Sequence, residues 1–582
     1  MKITRPAGRS LFPAHAARML LWPHLPPLAG LVALALLLTA PLPANLTTAL
    51  PGLHGDSYFH LWNYWWLHAA LTQGLNPLFS PQVLHPTGCE LTLHSLALTN
   101  TVPAALLAGW LPLIAVYNLV IIAGFIVAGW GMYALAWELT ASRAGAFVAG
   151  CLFAFAPYHY QHLSRPDVCG YVWLPLTALF LLRIWRAPRL IDGLGFAAFF
   201  TLACYSAWYY FFSQLALAVV IGTALLFGAR RRVLNRRALA ALGGGLLLAG
   251  LLLAPAVLPM LAIKRRAAFG DTALAVHAAI SADPLAFITP PPFQPLWGWL
   301  TAGWHDRLGS TEPVAYLGWL ALALAGYGAG QMPRRTRWLW LLLLATGLVL
   351  ALGPVLHWNG RWHWADASLK SVPLPYYLLY KLVPPLRGSR APIRFIVLAY
   401  LALAVLAAFA ARQLAARRPR LLVLLTGLLL LDYLAVPYPV VQPAVPALYR
   451  EIAASDARAV LEVPVTDYPS VLQYYQTVHG KALVIGAVTH IPPWRFAFLG
   501  ETPVVRELYN LSLLTPAREQ ELAGKGRAPL AAAGIGWVVV HPELIDNPAA
   551  TGRIVNFLTG ALAAPPEMRD NLLCWRLREA EE

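Results

Sequence analysis

Charge is what this chain has least of. Between Arg18 and Arg143 there is no lysine or arginine, and charged residues make up 12% of the 582 positions against a hydrophobic share of 59%. A soluble domain carries about 25% charged residues, so a string of soluble domains is excluded: there is too little charge to solvate them. Cysteine is also scarce. Five are present, an odd number, with no CxxC pair, which removes the cysteine-based zinc and thioredoxin-type patterns. The Walker loop, the glycine fingerprint of dinucleotide binding and the HExxH zinc motif are likewise missing, so ATP-driven and nicotinamide chemistry have no support.

What the chain does have is a series of apolar runs long enough to cross roughly 30 Å of hydrocarbon. Its net charge of +17 would suggest nucleic acid in a soluble protein, but the excess lies before residue 441, since residues 441–582 hold 15 of the 26 acids and 12 of the 43 bases. Much of it falls in short clusters between apolar runs: Arg183, Arg186 and Arg189; Arg230 to Arg232 with Arg236 and Arg237; Arg334, Arg335 and Arg337; Arg412, Arg417, Arg418 and Arg420. Such clusters mark cytoplasmic turns, and no basic stripe interleaved with aromatics argues for nucleic acid.

Anchoring those turns inside, together with Lys2, Arg5, Arg9 and Arg18 at the N-terminus, predicts spans over residues 25–43, 118–139, 144–156, 171–184, 191–205, 210–227, 239–263, 313–330, 338–355, 393–411 and 421–436. The fold class expected is a polytopic α-helical membrane protein of about eleven crossings, N-terminus cytoplasmic, in the cell membrane. The first run is expected to be retained, not cleaved. Residues 102–115 are short and contain Pro103 and Pro112, so they are predicted to lie in or re-enter the interface. Residues 44–117, 157–170, 264–312 and 356–392 then face outward. A change of composition divides the chain into a membrane domain, residues 1–440, and an extracytoplasmic α/β domain, residues 441–582, with strands predicted at 459–465, 482–485 and 536–541 and helices at 470–478 and 530–534.

The outward segments hold the chemistry. Asp56 opens the first loop just ahead of an aromatic stretch, and His60, Asn63, Tyr64 and His68 follow at helical spacing. The plainer reading is an interfacial helix that Asp56 caps, because aspartate is a favoured N-cap. An acid close to hydrocarbon otherwise needs a task or a partner, and Glu312 at the start of a predicted span invites the same question. The outward cations Lys264, Arg265, Arg266, Arg361, Lys370, Lys381, Arg387, Arg390 and Arg394 run against the charge rule and imply an anionic substrate at the membrane surface. Aromatic and polar residues of the third and fourth loops, among them Trp297, Trp304, His305, Trp358, Trp362, His363, Trp364 and Asp366, are sugar-stacking candidates, although Trp is also the ordinary interfacial residue. A Cys89–Cys169 disulfide would tie the first two outward segments together.

The order of a first span, an outward loop opening on an acid, an aromatic interfacial helix, a proline-containing re-entrant segment, many spans and a terminal domain resembles the GT-C superfamily of integral membrane glycosyltransferases. Locally, His85-Pro86-Thr87-Gly88, Ser142-Arg143-Ala144-Gly145-Ala146, Pro157-Tyr158-His159-Tyr160-Gln161-His162, Glu312-Pro313-Val314-Ala315-Tyr316-Leu317-Gly318 and Arg387-Gly388-Ser389-Arg390-Ala391-Pro392-Ile393-Arg394-Phe395 are similar to segments of uncharacterised bacterial GT-C-like proteins, including relatives of the YfhO group. The motifs are loose; the layout carries the likeness.

That resemblance implies transfer of a sugar from a polyprenyl-phosphate donor to a glycan, lipid or protein acceptor. Asp56 matches the early acid of the first loop, the catalytic or metal-binding carboxylate of the superfamily. Many members pair that acid with a second one, whereas here Ser57 follows, and the next candidate is Asp167 in the second outward segment. As a base Asp56 would take the acceptor's proton. Arg387, Arg390 and Arg394, read as exposed guanidinium groups, would hold the departing phosphate. His60, His94, His159, His162, Asp167 and Glu312 complete the expected substrate site. No cofactor is expected; a divalent metal on Asp56, Asp167 and histidine is the alternative. The competing functions are a transporter or flippase, for which two related halves and midplane charges are missing from the sequence, and a non-catalytic envelope-assembly protein.

Overall fold

The computed structural model describes residues 22–52, 55–233, 235–267, 269–308, 312, 314–361, 372–466 and 469–577. The N-terminal bases, His54 and the fourth-loop candidates Trp362, His363, Trp364 and Asp366 lie outside the described residues.

Each stretch predicted to span is largely helical, with displaced ends: α1 (Leu25–Leu38), then α2 (Asp56–Gln73) and α3 (Leu98–Leu107) in the first loop, α4 (Leu113–Thr140), α5 (Arg143–Ala154), α6 (Pro157–Gln161), α7 (Leu174–Arg186), α8 (Leu190–Ser206), α9 (Tyr210–Val233), α10 (Arg236–Arg266), α11 (Leu274–Ala279), α12 (Gly298–His305), α13 (Trp319–Gly330), α14 (Arg334–Ala351), α15 (Pro375–Leu382), α16 (Ile396–Arg417) and α17 (Pro419–Asp432). Among the described residues, four helices are long and apolar enough to cross a membrane: Leu113–Thr140, Val168–Arg186, Arg236–Arg266 and Pro392–Arg417. Those at Trp22–Leu38, Leu190–Ser206, Tyr210–Ala224 and Trp319–Gly330 are apolar but shorter.

Two boundaries correct the sequence reading. The short segment 102–115 is divided, because Pro112 takes an extended conformation as the N-cap of α4 and the helix begins at Leu113, five residues ahead of the expected start. The stretch 313–330 becomes helical only at Trp319, after the positive-φ Gly318, and residues 314–318 have no regular secondary structure.

At the centre stands α16, buried over its whole apolar window. Its alanine-rich surface lets neighbouring backbones come close, the usual device where lipid offers no hydrophobic drive between helices. A Cβ built on Gly328 of α13 would lie 1.9 Å from the Leu406 carbonyl oxygen. Only glycine fits there. By contrast α10 is only 11% buried over its window and carries Pro255 and Pro259, which places it on the bundle's periphery. The preceding residues of α16, 392–395, therefore emerge from the most enclosed part of the molecule, and they include Arg394.

Two short strand pairs accompany the helices, one of them joining segments far apart in the chain. β1 (Leu50–Pro51) is antiparallel to β4 (Val440–Val441), and β2 (Phe79–Ser80) to β3 (Cys89–Glu90). Beyond β4 comes α18 (Leu448–Ala454), then β5 (Ala459–Val463), α19 (Ser470–His479), β6 (Ala482–Leu483), β7 (Ile535–Val540), β8 (Glu567–Arg569) and β9 (Leu572–Arg576). The sheet order is β6-β5-β7-β9-β8, with β5 parallel to β6 and β7. An open sheet edge invites further pairing, and the first loop supplies it: Leu483 N donates to Gln82 O and His85 N to Leu483 O, each at 2.9 Å. Arg495 grips Glu90 through two hydrogen bonds, so loop and C-terminal domain form one packed surface.

All five cysteines are free. The expected Cys89–Cys169 disulfide is not formed; Cys89 lies in the hairpin and Cys169 donates toward the His162 carbonyl.

Candidate active site

The first turn of α2 presents Asp56. Gly55 is the N-cap and no side chain caps this helix end, so the capping role foreseen for Asp56 is not what holds it. Its position in the first turn still suits an anion, because the helix dipole is positive there. Its real partner is Arg165, whose Nε lies 3.5 Å from Asp56 Oδ2, with the carboxylate 54% exposed and the guanidinium 25%.

Arg165 sits in a tight turn after α6, its amide donating to His162 O at 2.8 Å. Asn100 of α3 fixes the same turn by donating to Pro166 O at 2.8 Å, and Tyr117 of α4 donates to Leu163 O at 2.9 Å. From there the Arg165 side chain bridges two acids: while Nε faces Asp56, Nη1 donates to Glu312 Oε1 at 3.1 Å. Glu312, only 5% exposed, also accepts from Arg394 Nη2 and Nε at 2.5 and 3.2 Å. His162 Nε2 lies 3.5 Å from its other oxygen. The Arg394 guanidinium in turn lies over the Tyr209 ring, 4.4 Å from its centroid, a cation–π contact. One turn along α2, His60 Nε2 is 3.2 Å from Asp167 Oδ1.

The charges follow from these contacts. Burial works against ionisation of Asp167, but His60, Arg394 and Arg165 outweigh it and hold the carboxyl down at about 2. Glu312 stands well below the usual carboxylate range for the same reason: burial opposes the charge, and Arg394 and His162 more than compensate. Burial lowers His162, against the pull of Glu312, so near neutral pH it is an uncharged ring. Two arginines thus face three carboxylates, and Asp56 is the most exposed member of the set. A half-exposed carboxylate held by one guanidinium is able to accept a proton from a bound hydroxyl; the buried pair behind it is not.

No protein-family model matches the chain, and no curated protein is significantly similar in sequence. Solved structures do match. The arabinofuranosyltransferase AftD from mycobacteria superposes with a TM-score of 0.54 at 15% identity, over 95% of this chain and 40% of that one. The oligosaccharyltransferase AglB from Archaeoglobus fulgidus, solved with an inhibitory peptide and a dolichol-phosphate, gives 0.50 at 13% identity, over 93% of this chain and 71% of that one. The fold is GT-C-like. The chain accounts for two fifths of the length of AftD, and the likeness is one of fold.

Within the GT-C-like frame, six of the residues expected from sequence converge: Asp56, His60, His162, Asp167, Glu312 and Arg394. Four do not join them. His94 bridges the first loop to the C-terminal domain, its Nε2 2.8 Å from Asn63 Oδ1 and its Nδ1 accepting from Thr489 N at 3.2 Å; burial holds it down at about 3. His159 stacks on Phe125 at 3.9 Å and bonds the Ala154 carbonyl, so it is a core histidine. Arg387 is not a free cation, since it pairs with Asp271 at 3.1 Å and donates to the Tyr380 and Lys381 carbonyls. Arg390 is exposed, with a left-handed φ of 41°. The expectation that all three arginines present exposed guanidinium groups is therefore corrected for Arg387 and most strongly for Arg394, which the buried Glu312 holds.

Among the third-loop candidates, Asp283 caps the residues after it and accepts from Gly360 N, and His305 bonds Pro290 O. Trp299 and Trp304 are exposed, as a membrane-interface belt requires. The site residues missed by sequence reasoning as ligands of the cluster are Arg165 and Tyr209. Arg165 carried a signal, as an arginine between two acids in chain order; Tyr209 had none, because only packing brings it under Arg394. Among the described residues no group of three or more His, Cys, Asp and Glu side chains is placed to hold a metal ion.

Proposed function

We propose that this chain is a membrane glycosyltransferase that moves a sugar from a polyprenyl-phosphate donor to an extracytoplasmic acceptor, with Asp56 as the base. The observation that carries the reading is the exposed Asp56 carboxylate set 3.5 Å from Arg165 at the mouth of a buried ion network, on a fold shared with sugar-transferring membrane enzymes.

The reaction asks for three things of the chain. An acceptor hydroxyl must lose its proton as its oxygen bonds to the sugar's anomeric carbon, and Asp56 is the accessible carboxylate in the cluster. The bond from that carbon to the phosphate oxygen breaks, and the electron pair leaves with the phosphate, where fixed positive charge stabilises it. Arg390 is the member of the expected trio whose side chain is exposed, while Arg394 and Arg387 are engaged by Glu312 and Asp271. In this reading Arg390 meets the phosphate and the other two shape the positive field around it. The membrane lipid phase delivers the donor, and the C-terminal domain, packed on the first loop, flanks the acceptor's approach. Asp56, Glu312 and Arg390 then lie on the outer side, with about eleven crossings and a cytoplasmic N-terminus.

The deciding experiment incubates the purified protein with a panel of polyprenyl-phosphate sugars and reads sugar release or transfer. Turnover of a panel member that the Asp56→Asn variant lacks supports the reading. Turnover that survives loss of Asp56 removes it as the base, and binding of every panel member without turnover favours a lipid-handling protein.

A further inference from the structure

The buried carboxylate of Glu312 has more partners than a donor site needs. It receives Nε and Nη2 of Arg394, Nη1 of Arg165 and the approach of His162. Arg394 is the rigid side of this arrangement: it leaves the enclosed start of α16, is buried itself and lies on the Tyr209 ring. Arg165 is the adjustable side, on a loop and a quarter exposed. A long arginine side chain on a loop has several rotamers available and loses that freedom when fixed. Something must hold it against Asp56.

We propose that Glu312 is a positioning residue: anchored by Arg394, it fixes the Arg165 guanidinium in the orientation that sets Nε against Asp56. The inference rests on the reading of Asp56 as the base. Arginine's planar fork permits it, since Nη1 and Nε of one guanidinium point in different directions and serve two carboxylates at once. The distances of 3.1 Å to Glu312 and 3.5 Å to Asp56 show both ends engaged.

The other groups near Asp56 leave this pair dominant. Its own helix offers the Ser57 hydroxyl, which donates to Pro51 O, and His60, paired to Asp167. Helix α4 offers Tyr117, which donates to Leu163 O and lies close enough to interact with Asp56. From α19 come Ser470, bonded to Gly55 O, and Tyr474, stacked on Tyr58. The charged groups behind Arg165 are Glu312, Asp167 and Arg394.

The test needs no substrate. Phenylglyoxal modifies accessible guanidinium groups, and peptide mass spectrometry reads the rate at Arg165 in the intact, detergent-solubilised protein, with the exposed Arg390 as internal reference. Glu312→Gln should raise the Arg165 rate several-fold over that reference, because the side chain is released from its anchor. Asp56→Asn should raise it less, since Glu312 still holds the guanidinium. A rate unchanged in Glu312→Gln, or raised as much by Asp56→Asn, would overturn the proposal. If Glu312→Gln fails to fold, Glu312→Asp keeps the charge and withdraws the carboxylate; a raised rate supports positioning and an unchanged one refutes it. Loss of the catalytic reading would show separately, as full sugar transfer by Asp56→Asn.

Discussion

The Ser470 hydroxyl, at the first residue of α19 in the C-terminal domain, donates to the carbonyl of Gly55, immediately before Asp56. A Cβ built on Gly55 would lie 2.9 Å from Ser470 Oγ, so the contact has no slack. Helix α19 lies along α2, with Tyr474 stacked on Tyr58 at 5.3 Å and Gln476 accepting from Trp62 at 2.7 Å. The C-terminal domain is thus part of the frame that aims the candidate base.

Ser470→Ala should loosen the first turn of α2 at a stability cost of about 1 kcal/mol, the usual net worth of one hydrogen bond. Faster amide exchange at residues 57–60, with the rest of α2 unchanged, is the expected result. Uniform protection would mean that the loop alone fixes the turn.

Arg394→Gln should destabilise the protein, since it takes two charge-assisted hydrogen bonds from the buried Glu312. Breaking a buried pair from one side costs about 3–5 kcal/mol, and the partners that remain place this case at the lower end. Arg390→Gln, at an exposed position, should leave thermal stability unchanged and weaken binding of a polyprenyl phosphate. Equal stability loss in both variants would contradict the division drawn between them.

The contrast between those arginines shows where sequence reasoning reached its limit. Residues 387, 390 and 394 look alike in the sequence, each an outward cation near a predicted span, because burial and counter-ions are properties of packing. Helices were legible through their apolar runs and the basic turns between them, which depend on local composition. The strands at 459–463 and 535–540 were legible through their β-branched runs. Glu312 was marked by its mere presence beside hydrocarbon. Its bridge between Arg165 and Arg394 joins three segments far apart in the chain, and nothing in their local sequence announces that meeting. His94 and His159 erred the other way: both stand in segments expected to face outward, yet each is consumed by an internal contact.

Stability of the C-terminal domain should depend on pH through His541. This buried imidazole lies between Glu462 at 2.8 Å and Glu543 at 3.0 Å; burial opposes its charge, but the two carboxylates raise it to about 9. A raised folded value means the contribution is full below about 6.5 and is lost as pH rises through about 9, on the order of 3 kcal/mol. Thermal melts of the wild type should fall over that window, and those of His541→Gln should be flatter. Parallel curves would refute the pairing.

Orientation is testable with single reactive labels. Gln73, Asn235 and Ala549 are exposed and suit the purpose. Labels at Gln73 and Ala549 should react from outside the cell and one at Asn235 only after the cytoplasmic face is opened. Cytoplasmic labelling at Ala549 would place the C-terminal domain on the wrong side for an extracytoplasmic acceptor.

The most direct test of the central claim is single-turnover sugar transfer by Asp56→Asn against wild type, using a polyprenyl-phosphate sugar that the wild type turns over. Asparagine has nearly the size of aspartate and suits the first turn of a helix, so the variant should fold and bind the donor. It removes the proton acceptor, and loss of a positioned base costs roughly 10²-fold or more. A fall of that size with donor affinity retained is the predicted result; turnover within a few-fold of wild type would contradict the assignment of Asp56 as the base.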